Sequence, residues 1–177
     1  MTMTSTMSAT TLATLIIFPA FMAFAAASDL VSMRISNRIS LGLAAAFGVF
    51  ALVCQLPLAL VGLHLGTSAV MLAVGIALFA AGWIGGGDAK LAAATALWIG
   101  PELLPLYIMI ASALGGALTL SILNMRGHPL PRFAGQWEWL QRLHAPRNGV
   151  PYGIALAASG LIMFPETAIW KMVASFG

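Results

Sequence analysis

The chain holds two aspartates, Asp29 and Asp88, and each stands at the end of a long apolar run. Asp29 closes the stretch "AFAAASD", and Asp88 follows three glycines in "WIGGGDAK". An aspartate at the centre of a membrane helix costs about 2.5–3.5 kcal/mol, and less toward the interface. Each glycine inside a helix costs roughly 0.5–1 kcal/mol relative to alanine. A local conflict of this kind marks a candidate functional site. Taken singly, either aspartate reads as readily as a helix cap or an interfacial anchor. As a pair they read differently. Two carboxylates around one water cannot both ionise cheaply, so they keep one proton between them. The ionised member draws a proton from water as that water attacks a carbonyl, and the protonated member polarises the carbonyl. This is the chemistry of an aspartic protease, whose apparent pKa values belong to the dyad. Glycines beside one aspartate would let a peptide backbone approach closely.

The elements that must bring these residues together follow from composition. The chain has 177 residues, of which 60% are hydrophobic and 7% charged, with mean hydropathy +0.97. Soluble domains carry about 25% charged residues, so this chain reads as an integral membrane protein. The expected fold class is all-α, a polytopic membrane helix bundle forming one domain over 1–177. Six apolar segments are predicted, at roughly 11–28, 39–57, 66–85, 89–104, 105–124 and 150–170. Pro101 and Pro105 flank Glu102 and mark a turn. The polar stretch 125–149 is the one long loop. Within it Trp137, Trp139, Leu140, Arg142 and Leu143 suit either a short interfacial helix or a solvated loop with belt tryptophans.

Basic residues set the orientation. Six spans place Arg34, Arg38, Lys90, Arg126, Arg132, Arg142 and Arg147 on one side and only Lys171 on the other. The positive-inside rule makes the first side cytoplasmic, with both aspartates at that face and both termini periplasmic. The basic pI therefore reflects membrane orientation rather than nucleic-acid binding. Residues 1–15 carry no Lys or Arg, which favours a retained first span over a cleaved signal peptide.

Other chemistries are poorly supported. One cysteine, Cys54, excludes a disulfide framework and a CxxC metal site. HExxH and the phosphate-loop pattern are absent. His64, His128 and His144 fall in predicted loops and read as solvent-exposed. "AASG" at 157–160 reads as a packing surface before it reads as a serine site.

At this point the sequence resembles the type IV prepilin peptidases, bacterial members of the GxGD aspartyl proteases. Gly85, Gly87, Asp88 and Lys90 match GxGDxK. Asp29 followed by "RISNRIS" is similar to the family's first aspartate and its R-x-I-P-N segment, with Ser36 where proline is usual. "VPYGIALAASG" at 150–160 resembles the P-[YF]-G-x-A start of a late helix. The resemblance implies an endopeptidase that cuts a short basic leader from pilin precursors at the cytoplasmic membrane face, ahead of their hydrophobic N-terminal helix. Asp29 and Asp88 would be the catalytic pair, with Gly85, Gly87 and Lys90 shaping the site. No metal and no cofactor are implied. The expected partners are prepilins or pseudopilins, the bilayer of the bacterial inner membrane and pilus-assembly proteins. The larger relatives carry a methyltransferase region with paired CxxC motifs. This chain lacks it and resembles the short, peptidase-only type of Flp pilus systems. Glu138 is the one acidic residue of the basic loop 125–149 and a candidate contact for the leader. The alternatives are a proton-coupled transporter, which would hold such carboxylates nearer the bilayer midplane, and a non-catalytic pilus-assembly component.

Overall fold

The computed structural model describes residues 2–130 and 136–174, which are helical and without strands. The helices are α1 (Thr2–Ser32), α2 (Asn37–Val53), α3 (Leu58–Ala80), α4 (Gly86–Ile99), α5 (Leu104–Arg126), α6 (Glu138–His144), α7 (Tyr152–Met163) and α8 (Ala168–Ala174). Each of the six predicted apolar segments falls on helix. Two of them, α3 and α5, are long and apolar enough to cross a membrane. Their large side chains, including Leu63, Val70, Ile76, Met109 and Leu120, point outward. Apolar side chains turned outward suit lipid, as in a membrane protein.

The bundle is built around α4. From Leu91 to Ile99 every residue of this helix is buried. Its 14 residues reach only ~21 Å at 1.5 Å per residue, against ~30 Å of hydrocarbon. It is therefore a central packing helix rather than a full-length span. Its alanines let neighbours come close. α3 runs antiparallel to it: Gly75 lies against Ala89, Ser68 Oγ donates to the Ala93 carbonyl at 2.8 Å, and His64 Nδ1 lies 2.7 Å from the Leu97 carbonyl. α1 and α7 pack on each other, and α7 and α2 pack on α4.

His64 corrects the sequence expectation. It is a buried residue of α3, not a loop histidine. The third helix begins at Leu58, directly after Pro57, and ends at Ala80, so the predicted segment 66–85 was set several residues late. Gly82, at φ +75°, closes that end. The last predicted segment, 150–170, is interrupted. A 3₁₀ turn over Phe164–Glu166 contains Pro165, and Thr167 restarts the chain by accepting from the Trp170 N–H at 3.1 Å.

The end of the bundle away from the aspartates is filled by rings. Trp98 is buried among Phe18, Phe47, Phe50 and Phe164, and its indole N–H donates to the Leu43 carbonyl at 3.0 Å. The loop 125–149 does contain a short helix, α6, with Leu143 buried and Trp137 stacked on Trp139. Arg132 lies outside the described residues.

Candidate active site

Asp29 lies in the last turn of α1 and Asp88 in the first turn of α4. The two carboxylates line one cavity of about 330 Å³ together with Met33, Arg34, Ile35, Gly85, Gly86 and Gly87. Asp29 is buried and Asp88 half-buried. Both sit just beyond the apolar segments predicted for 11–28 and 89–104.

Each carboxylate accepts one backbone N–H. Gly153, in the first turn of α7, donates to Asp29 Oδ2 at 2.7 Å. Gly85 donates to Asp88 Oδ2 at 3.3 Å, a cap across the first turn of α4. Burial pushes the Asp29 carboxyl above the ordinary carboxylate range, and the Gly153 N–H partly offsets it. Burial also raises Asp88, the Asp29 charge raises it further, and the Gly85 N–H opposes both, for a value of about 6. The Asp29 charge thus disfavours ionisation of Asp88, the relation by which a carboxylate pair retains a proton into mildly acidic pH.

The glycines divide by role. A Cβ on Gly85 would lie 2.8 Å from Asp88 Oδ2, and one on Gly87 would lie 3.1 Å from Ile35 Cβ. A Cβ on Gly86 would meet only ordinary contacts with Phe79. The two constrained positions are thus Gly85 and Gly87, and the free one is Gly86 between them. Their smallness is used inside the chain: Gly85 makes room for the carboxylate, Gly87 for the segment after α1.

That segment is tightly held. Met33 terminates α1 at φ +54°, its N–H donating to the Asp29 carbonyl at 2.8 Å. A left-handed non-glycine residue costs roughly 1–2 kcal/mol, and such strain gathers at functional sites. Ser28 and Ser32 both donate to the Arg34 carbonyl, at 3.0 and 3.1 Å. Ser36, at φ −67°, has an angle that proline would also adopt, and its Oγ caps α2 by accepting from the Arg38 N–H at 3.3 Å.

Gly153 was not singled out as a site residue from the sequence. A Cβ there would lie 2.6 Å from Ile35 Cδ1 and 2.8 Å from Asp29 Oδ2. The quoted P-Y-G stretch held the signal, but a backbone donor leaves no side-chain chemistry to read. Arg126 fastens the chain leading to it, donating to the carbonyls of Leu143, Asn148 and Gly149 at 2.9, 3.0 and 2.9 Å.

The remaining predicted residues lie further out. Lys90 Nζ donates to Asn37 Oδ1 at 2.9 Å and does not line the aspartate cavity. Glu138 pairs with Arg142 at 3.0 Å on the exposed face of α6, and Arg142 also donates to the Val31 carbonyl at 3.2 Å, near the end of α1. Ser159 is fully buried and donates to the Leu156 carbonyl at 3.0 Å, so "AASG" is packing. Among the described residues no cluster of three His, Cys, Asp or Glu side chains is placed to hold a metal.

Asp88 faces a second space. On its other side a groove of about 240 Å³, lined by Leu78, Ile84, Tyr107, Ile108 and Tyr152 among others, is almost wholly apolar. Asp88 thus lines both the cavity it shares with Asp29 and a greasy groove that Asp29 does not line.

No curated protein and no solved structure matches the chain. Residues 16–120 match the type IV leader peptidase family. That stretch is more than half of the chain and runs from α1 through most of α5, carrying both aspartates. With both carboxylates in one cavity and the match across the helices that position them, the chain belongs to the type IV leader peptidase family.

Proposed function

We propose that the chain is an aspartic endopeptidase of the Flp-associated type. It removes a basic leader from prepilins at the cytoplasmic face of the bacterial inner membrane, with both termini periplasmic. The observation that carries this reading is the shared cavity of Asp29 and Asp88. Between them the pair holds one proton. The ionised carboxylate takes a proton from water, whose oxygen bonds to the scissile carbonyl carbon. The protonated carboxyl gives its proton to the carbonyl oxygen, forming a tetrahedral diol. On collapse one diol hydroxyl gives its proton to the ionised carboxylate, the C–N bond breaks, the leaving amine takes a proton from the other carboxyl, and the dyad returns to its singly protonated state.

The position of Asp88 between two spaces supports the substrate class. The polar cavity suits the leader side of the cut, and the apolar groove along Tyr107 and Ile108 suits the start of the pilin's hydrophobic helix. Gly85 and Gly87 shape the site, while Lys90, the expected third shaping residue, bonds Asn37 outside the aspartate cavity. Glu138 is the acidic residue offered to the leader from α6.

Co-expression with a prepilin, followed by gel shift, tests the reading. Asp29→Asn and Asp88→Asn should each abolish leader removal with membrane-inserted protein retained. Cleavage surviving in either variant rejects the dyad. Reporter fusions after residues 34 and 130 should read cytoplasmic, and a periplasmic reading at 34 removes Asp29 from the site.

A further inference from the structure

A third space in the bundle lies beside the aspartate cavity and measures about 680 Å³. That is within the usual range for a bound small molecule, roughly 300–1,000 Å³. It is a groove floored by α4 and walled by α2 and α3, with Leu72, Ile76 and Phe79 along one side. Three polar residues, Asn37, Ser40 and Lys90, cluster toward the end of the bundle that carries the aspartates. Ser68 is already bonded to the Ala93 carbonyl.

Charge narrows what the groove accepts. Lys90 is its one charged lining residue, and no carboxylate lines it. Among the described residues the ammonium's hydrogen-bond partner is Asn37 Oδ1, so two of its three donors stay open. Ser40 lines the same groove, and its buried Oγ has no hydrogen-bond partner among the described residues. A buried hydroxyl normally finds a partner. An exposed cation at the mouth of an apolar groove, with a buried unpaired hydroxyl in its wall, matches a ligand with an anionic head and a hydrocarbon tail.

We infer that this groove binds one anionic phospholipid, its phosphate on Lys90 and an acyl chain along Leu72 and Ile76. The lipid would lie on the opposite side of α4's first turn from the aspartate cavity, with Gly86 lining both spaces. The inference rests on the groove alone and stands apart from the proteolytic reading.

Native mass spectrometry of the full chain, delipidated in detergent, tests it without any pilin. Titration with dioleoyl-phosphatidylglycerol should show one saturable adduct at a concentration at least tenfold lower than with dioleoyl-phosphatidylcholine. Lys90→Gln should bring the two lipids level, and Lys90→Arg should keep the preference. Ala44→Phe, which fills the groove from α2, should remove the tight adduct. Equal binding of the two lipids by the unaltered chain overturns the inference, as does a preference that survives both Lys90→Gln and Ala44→Phe. If Lys90→Gln does not fold, the lipid comparison and Ala44→Phe still decide. A benzophenone side chain at Leu72 should cross-link to lipid in membranes. Cross-linking to a co-expressed prepilin instead also overturns the inference.

Discussion

The two ends of α4 are built on opposite principles. Its first turn carries Asp88, with Gly85 close against the carboxylate and Gly87 tight against Ile35, and it lines two open spaces. Its last turn carries Trp98, fully enclosed by phenylalanines from α1, α2 and the turn after α7. One end is held by backbone donors and close approach, the other by filled volume. The difference teaches where stability and chemistry reside. The ring cluster can anchor the bundle because it hosts no carboxylate, and the one ring in it that can ionise, His64 stacked on Phe47, is held by the Leu97 carbonyl. The carboxylate end can hold two mutually repelling acids because the packing elsewhere fixes it.

Substitutions at the two ends should therefore separate activity from stability. The largest effect is expected at the dyad. Asp88→Asn should lower the cleavage rate by roughly 10²–10⁴-fold without lowering thermal stability. The sign follows from the raised carboxyl, about 6 in the folded chain against 3.8 ordinarily. The folded state holds this proton more tightly than the unfolded state, so stability falls as pH rises through that window. Melting in detergent should show Asp88→Asn at least as stable as the parent at pH 8, with the two converging near pH 4. A variant that melts lower at pH 8 would break the contrast between the two ends.

Trp98→Ala should do the reverse. It should cost about 3–5 kcal/mol of stability, read as a lower melting temperature, while the protein that stays folded keeps its cleavage rate. Next comes Gly153→Ala, which forces a methyl group against Ile35 and Asp29. Displacing a catalytic group by about 1 Å can cost roughly 10²-fold in rate. The rate should fall by that order with KM little changed, and a normal rate would show that α7 does not orient Asp29. The smallest effect belongs to Glu138. Its pair with Arg142 is exposed and of the kind worth about 0.2–1 kcal/mol. Glu138→Gln should raise KM for a basic leader no more than ~5-fold at low salt, and an unchanged KM would remove it from the leader's path.

What was legible in the sequence follows from which interactions leave a side-chain signature. Asp29 and Asp88 were legible because a carboxylate at the end of an apolar run is expensive, and the structure brings them to one cavity. The all-helical character followed from sustained apolar runs without alternation. The central place of α4 did not, because a short alanine-rich stretch reads as a weak span when its neighbours are unknown. The start of α3 was misplaced because the run 56–65 is apolar but contains His64, whose partner at Leu97 lies on another helix. The motif glycines were read as access for substrate, yet the contacts they make room for are with Asp88 and Ile35. Gly153 was hidden because its contribution is an N–H that every residue except proline possesses.

The bond from Gly153 to Asp29 has a consequence for biogenesis. Its two ends lie 124 positions apart in the chain. At about 5–20 residues per second, synthesis of Gly153 trails that of Asp29 by roughly 6–25 s. During that interval the first helix carries its carboxylate without the N–H that orients it. On the proposed reading the hydrolytic centre is complete only when α7 joins the bundle, and a polypeptide released before that point would hold both acids and yet lack the N–H that orients Asp29.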